Sequence, residues 1–276
     1  MKGSFMEINL ESLEHDFSPV VQISELSAWN GTRFVVRDDL LTGGTKQRAC
    51  APYLRELASA GYKNFVYASP FSGFAQVALA YTAQKLGYSC TIVCEKDQRY
   101  PKMERLHPFS MLAHSFGAHI LMVDHLEEAD EVAFRFSRDT PDAIKLPLGF
   151  DSPIFRDHLK RELTLQWDYL ERKIMRPIKT LWLPVGSGTL AKTFHEIIPD
   201  TVQMKCVNVR VLTDSDYRIQ MVNQLDRVEL MKAPMLFHEE AVDLPAIPSN
   251  IFYDAKIWDF LKLDGEDGDV WWNVAS

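Results

Sequence analysis

Short runs of β-branched and apolar residues alternate with amphipathic stretches along most of the chain, and this alternation restricts the fold more than any other feature. A strand followed by a helix and then by another strand returns most simply parallel to the first. The rhythm therefore predicts an α/β protein of mostly parallel twisted sheets with helices on both faces. Strands are expected over 34–37, 64–68, 89–94, 119–123, 180–184, 204–211 and 270–274. Between them, Phe74, Val77, Ala78 and Tyr81 fall at i, i+3, i+4 and i+7, so "FAQVALAYTAQKLG" reads as a helix packed by one face and stopped by Gly87. Further helices are expected over 46–59, 103–116, 127–137, 154–175 and 190–197, with Pro52 kinking or restarting the first.

A chain of 276 residues, 46% hydrophobic and 25% charged, buries a substantial core as one large domain or as two lobes. The stretch "KLPLGFDSP" at 145–153 carries Pro147, Gly149 and Pro153 and is the expected crossing between lobes. No apolar run is long enough to span a bilayer, and the acidic, broken start "MKGSFMEINLESLEHDF" is unlike a signal or transit peptide. Both favour a cytoplasmic protein. Cys50, Cys90, Cys94 and Cys206 lack metal-type spacing. Cys90 and Cys94 flank a β-like "TIV" that holds them too far apart for a disulfide, so reduced, buried thiols are expected. A net charge of −8 offers no general footprint for nucleic acid or an anionic membrane and favours a small-molecule partner. The eight histidines form no ligand pattern, so no metal is expected there. The acidic run "LDGEDGD" at 263–269 reads as a solvated loop with a conceivable weak cation site.

Chemistry is suggested first by "VVRDDLLTGGTKQRA" at 35–49. A strand ends, Gly43-Gly44-Thr45 turns the chain, and a helix begins at Lys46. Helix N-termini leave backbone N–H groups unpaired and carry positive potential. That potential, with partial desolvation, pushes a lysine toward the neutral nucleophilic amine. A plain surface lysine in a first helical turn is the competing reading, and Asp38 and Asp39 read as braces of the loop rather than as acid–base groups.

The segment resembles pyridoxal-phosphate enzymes of the tryptophan synthase β-subunit type, in which a "KRDDL…GG-N-K-x-R" stretch carries the cofactor lysine. Arg37-Asp38-Asp39-Leu40, Gly43-Gly44, Lys46 and Arg48 match, and Thr45 replaces the frequent asparagine. "SPVVQISEL" at 18–26 is similar to the motif that precedes it in the family. The resemblance implies that Lys46 forms the Schiff base with the cofactor and removes the α-proton of an amino acid. In "ASPFSGFAQVALAYTAQKLGY" at 68–88, Ser72 and Gly73 run in step with the family's substrate-carboxylate turn, whereas Phe74 stands where the family places an asparagine. In "LWLPVGSGTLAKTF" at 181–194, Gly186, Ser187, Gly188 and Thr189 resemble the "G-[ST]-G-G-T" loop that grips the cofactor phosphate, one glycine short. "IFYDAKIWDFLK" and "DGDVWWNVAS" resemble the family's last helix and strand, where Ser276 or Asn273 is the candidate to meet the pyridine nitrogen. Tyr253, Trp258, Trp271 and Trp272 read as core aromatics.

The implied architecture has two α/β lobes, a larger one from residues 1–50 plus 151–276 and a smaller one from 51–150. The activity that the resemblance implies is elimination, replacement or deamination at an amino acid by a homodimer, with a substrate carried on a larger group, such as a hypermodified base of phage DNA, kept as an alternative. Two readings compete. "GSGTLAKT" at 186–193 is a nucleotide-binding P-loop pattern apart from Ala191, which assigns Lys192 and Thr193 to phosphate and magnesium. A degenerate, non-catalytic relative is the other.

Overall fold

The computed structural model describes residues 16–28, 31–97, 99 and 105–276. Two sheets organise them. The six-stranded sheet has the order β1-β2-β10-β7-β8-β9, with β1 Ile23–Ala28, β2 Gly31–Arg37, β7 Thr180–Val185, β8 Gln203–Asn208, β9 Val228–Lys232 and β10 Val270–Asn273. Within it β1 and β2 pair antiparallel and the other neighbours pair parallel. The four-stranded sheet has the order β5-β4-β3-β6 and is parallel throughout, with β3 Asn64–Ser69, β4 Ser89–Glu95, β5 His119–Val123 and β6 Ala143–Leu146. The expected mostly parallel α/β fold is what forms.

Central strands read as continuous apolar runs because both faces are buried, and successive side chains divide between the faces. Val36, Leu181, Leu183 and Trp272 join the main core, while Val35, Trp182, Val207 and Trp271 point to a second cluster on the opposite face. The same division puts Phe65, Tyr67 and Ile92 in the main core and Val66, Ala68 and Val93 against Ala129 and Ala133. Those alanines belong to the helix Leu126–Asp139, α4 in the series α1 Gln47–Ser59, α2 Ala75–Leu86, α3 Pro108–Ser115 and α4. After it come α5 Pro153–Ile174, α6 Thr189–Ile197, α7 Tyr217–Asn223 and α8 Trp258–Asp264.

Several expectations need correction. The helix α1 continues through Pro52 with no restart; tertiary burial of Ala49, Cys50, Tyr53 and Leu54 outweighs the one hydrogen bond that proline removes. The strand expected over 204–211 stops at Asn208, whose side chain donates to Asp214 and accepts from Arg210 N–H, turning the chain. The helix expected from 103 begins at Pro108, capped by His107; residues 103 and 104 lie outside the described residues, as does the start of the chain through residue 15. The strands β1, β6 and β9 and the helix α7 were not expected. All three strands lie at sheet edges, where burial, and hence the apolar pattern, is incomplete. The acidic run is more than a solvated loop: Asp269 is buried and accepts from Trp182 Nε1 at 2.8 Å, and Asp267 pairs with Arg176 at 2.8 Å. All four cysteines are free and buried. Among the described residues no cluster of three potential metal ligands exists, and no helix is long and apolar enough to cross a membrane.

Parallel pairing fixes where a site can form. The strands β2, β10 and β7 point the same way, so their C-terminal ends deliver Lys46, Val274-Ala275 and the Gly186–Thr189 turn to one edge of the sheet. The segment 147–152 links β6 of the smaller sheet to α5.

Candidate functional site

A cleft with an empty volume of ≈ 610 Å³, open on one side, is lined by residues from both sheets, among them Lys46, Tyr67, Ser72, Gly73, Gly186 and Ser187. A smaller adjoining cavity is lined by Lys46 together with Gly186, Ser187, Gly188 and Thr189. Seven residues singled out from three separate sequence motifs thus line these two adjoining cavities, at the C-terminal ends of parallel strands where ligand clefts of α/β proteins form.

Lys46 occupies the N-cap position of α1 with helical backbone angles. Thr45 N–H donates to Val274 O at 3.0 Å and Thr45 Oγ1 accepts from Trp272 Nε1 at 3.0 Å, so the lysine is held on the C-terminal end of β10. The anchorage continues through Asp38, which takes Trp272 Nε1 at 2.9 Å and a buried ion pair from Arg48 at 2.6 Å. Asp39 pairs with Arg37 at 2.7 Å. Both aspartates are braces, as the sequence suggested. The Lys46 amine makes no hydrogen bond or ion pair among the described residues. Burial lowers its pKa to about 8, opposed by the charges of Asp151 and Asp254 and by Cys50.

The turn after β7 is tightly fastened. Gly188 adopts φ +80° to start α6, and a Cβ there would lie 2.9 Å from Val222. Ser187 Oγ and Thr189 Oγ1 hydrogen-bond to each other at 2.9 Å, and Thr189 Oγ1 donates to Gly149 O at 3.4 Å. Gly149 also donates its N–H to the Tyr67 hydroxyl at 3.2 Å. Its φ of +68° and a Cβ position only 2.0 Å from Ser187 Oγ leave no room for a side chain. One residue, Gly149, therefore ties a side chain of the smaller sheet to the turn of the larger. Two residues on, Asp151 pairs with Lys192 of α6 at 2.5 Å.

The turn after β3 is built differently. Gly73 N–H donates to Pro70 O at 2.9 Å, so it is already engaged. The N–H groups of Phe74, Ala75 and Gln76, which open α2, have no intrahelical acceptor, whereas Val77 N–H already donates to Phe74 O at 3.0 Å. Gln76 holds the turn by donating to Gly73 O at 2.8 Å while accepting from Ser110 at 3.0 Å. Ser72 Oγ is buried and has no hydrogen-bond partner. Phe74 also faces the cleft, its ring edge-on to Phe109 at 4.9 Å.

The C-terminal segment closes the floor. Asp254 is fully buried and accepts from Val274 N–H at 2.7 Å and Ala275 N–H at 3.2 Å, and burial raises its pKa well above the carboxylate range. This places Tyr253, Val274 and Ala275 on the cleft. Neither Ser276 nor Asn273 lines it: Ser276 donates to Asp39 O at 3.1 Å and Asn273 to Pro248 O at 2.8 Å. Sequence reasoning missed Tyr67, Gly149, Asn250 and Phe237, all cleft-lining, and took Tyr253 for core. Only Gly149 carried a signal, as a glycine between prolines.

Comparison with known proteins now has a geometry to meet. No family model matches the chain, and no curated protein matches it by sequence. Solved structures do. An ACC deaminase homologue superposes with a TM-score of 0.72 at 16% identity, covering 94% of this chain and 90% of its own. The fold is that of the tryptophan synthase β-type enzymes. A hydrogen sulfide-producing enzyme from Fusobacterium nucleatum matches this fold with a TM-score of 0.68 at 14% identity, over 96% of this chain and 88% of its own. An O-acetylserine-dependent cystathionine β-synthase from Helicobacter pylori gives 0.68 at 14%, over 98% and 97%. The tryptophan synthase β-type fold leaves the nucleotide reading without support. Lys192, its phosphate cation, is occupied by Asp151 and lines neither cavity, and β8 ends in Asn208 rather than an aspartate.

Proposed function

We propose that this chain is a pyridoxal-phosphate-dependent enzyme that acts on an amino acid by elimination, replacement or deamination, with Lys46 as the covalent attachment point. The observation that carries the reading is the convergence, in one cleft, of a desolvated lysine without a partner, a glycine turn at a helix N-terminus and a buried hydroxyl without an acceptor or donor. These residues suit the cofactor. Gly186, Ser187, Gly188 and Thr189 hold its phosphate through the N–H groups of the turn and of the start of α6, with the two hydroxyls bracing the turn. Ser72, with the N–H groups of the first turn of α2, holds the substrate carboxylate. Gly73 contributes the sharp turn that aims Ser72 inward.

Bound there, the cofactor supplies a sink for the negative charge that develops when a proton leaves the substrate Cα. Lys46 Nζ takes that proton. An amine with a pKa of about 8 is close to neutral pH, the condition for a general base that must also return the proton. The rings of Phe74 and Tyr253 wall the reacting atoms from solvent.

Residues 1–50 with 151–276 form the larger lobe in this reading and 51–150 the smaller. The acidic chain works as a homodimer in the cytoplasm, on a small molecule rather than on nucleic acid or a membrane. The reading is tested by mixing the purified protein with pyridoxal phosphate. A saturable near-visible absorbance band is expected, replaced in Lys46→Ala by the spectrum of the free aldehyde; a protein that gains no band contradicts the reading.

A further inference from the structure

The walls of the cleft beyond Lys46 and Ser72 narrow the class of amino acid. Lys46 is the sole charged residue among the described residues lining the cleft, and Pro70, Phe74, Leu148, Val211 and Phe237 make up much of the remainder. The polar rings are already engaged: Tyr67 with Gly149 N–H, and Tyr253 with the Gly186 backbone. Phe237 is set firmly. Its ring meets Phe71 at 6.2 Å, Phe71 meets Phe252 at 5.7 Å, and the buried Lys256 donates to Leu236 O at 2.7 Å, fixing the irregular segment that carries Phe237. The nearby cation Arg99 lies over the Phe71 and Phe252 rings but is paired with Asp97 at 2.7 Å and Glu240 at 2.6 Å.

We propose that Phe237, with Phe74 and Val211, selects an amino acid whose side chain is uncharged and apolar, up to the size of a phenylalanine side chain. This rests on the cofactor reading above and deepens it. With its carboxylate at Ser72 and its Cα at Lys46, a substrate points its side chain at these three residues. A charged side chain there loses its hydration against a wall whose one charge is Lys46, the next cation, Lys256 Nζ, lying 5.7 Å from the centre of the Phe237 ring and engaged with Leu236 O, whereas an apolar one exchanges water for hydrocarbon on several sides.

The test uses the pyridoxal-phosphate-loaded full chain, titrated with glycine, leucine, phenylalanine, aspartate and lysine while the cofactor absorbance is followed. Leucine and phenylalanine are expected to bind at least about tenfold more tightly than glycine, aspartate or lysine. Phe237→Ala is expected to reduce the phenylalanine-over-glycine preference about tenfold, and Phe237→Leu to reduce it less; Val211→Ala serves if the first variant does not fold. Aspartate or lysine binding as tightly as leucine overturns the proposal, as does a preference unchanged in Phe237→Ala. If borohydride fixes the cofactor on Lys46 and the panel is flat, this inference falls and the cofactor reading stands. If the protein captures no cofactor, both fall together.

Discussion

The turns after β7 and β3 have the same plan: a parallel strand ends, a few small residues turn the chain, and a helix N-terminus faces the cleft. They differ in how their polar groups are satisfied. After β7, Ser187 and Thr189 bond to each other, Thr189 reaches Gly149 O, and Lys192 of the following helix is paired with Asp151. After β3, the hydroxyl of Ser72 is buried with nothing to bond. The first turn is a fastened socket, formed before anything binds. The second keeps a buried hydroxyl with no protein partner, which suits the substrate-carboxylate role proposed for it.

The largest effect should come from breaking the fastened side. Lys192→Met leaves the largely buried Asp151 with only the more distant Arg156, at 3.6 Å, as counter-charge and is expected to lower unfolding free energy by about 3 kcal/mol, the low end for a broken buried pair, in a denaturant titration. The double variant Lys192→Met with Asp151→Asn should recover much of that loss; equal loss in both would show that packing, not charge, fastens the turn. Gly149→Ala comes next. A Cβ at φ +68° and in collision with Ser187 should cost about 2–4 kcal/mol and weaken cofactor uptake, read by denaturation and absorbance titration.

On the open side the balance reverses. Ser72→Ala should leave folding stability within about 0.5 kcal/mol, since no protein hydrogen bond is lost, yet weaken amino acid binding by about 1.5–3 kcal/mol through a lost bond to a carboxylate. A comparable loss of stability would show that the two turns are alike after all.

The smallest effect is one of pH. With its amine near 8, Lys46 should capture pyridoxal phosphate roughly tenfold faster at pH 9 than at pH 7, following the neutral fraction. In the cofactor-free protein the same shift acts on stability. The unfolded chain, with a lysine at 10.5, binds more protons than the folded one between about 8 and 10.5, so the unfavourable Lys46 contribution, full below about 8, is relieved as pH rises through that window. Lys46→Met should flatten that part of the stability profile.

How much of this was legible depends on burial. Strands of apolar sequence, such as 64–69, 180–185 and the edge strand His119–Val123, announced themselves as apolar runs; the edge strands Ile23–Ala28 and Val228–Lys232 have mixed sequences, Ala143–Leu146 is only four residues long, and these three did not. The chemistry followed the same division. Lys46, Ser72 and the 186–189 turn lie in local motifs whose spacing can be read along the chain. Tyr67, Phe237 and the pair Asn250 and Tyr253 reach the cleft from three separate stretches, of which only that of Tyr253 was singled out in the sequence, with the tyrosine read as core. Asp254 was hidden for another reason: its role is to take two backbone N–H groups of β10's end, a contact without sequence signature.

The central claim is that one amine, Lys46, is the covalent anchor. Borohydride reduction of the protein after incubation with pyridoxal phosphate, followed by peptide mapping, tests it most directly. The label is expected on the peptide containing Lys46 at one per chain, with the other lysines unmodified. Label scattered over surface lysines, or fixed at Lys192 or Lys256 with Lys46 untouched, would contradict the account.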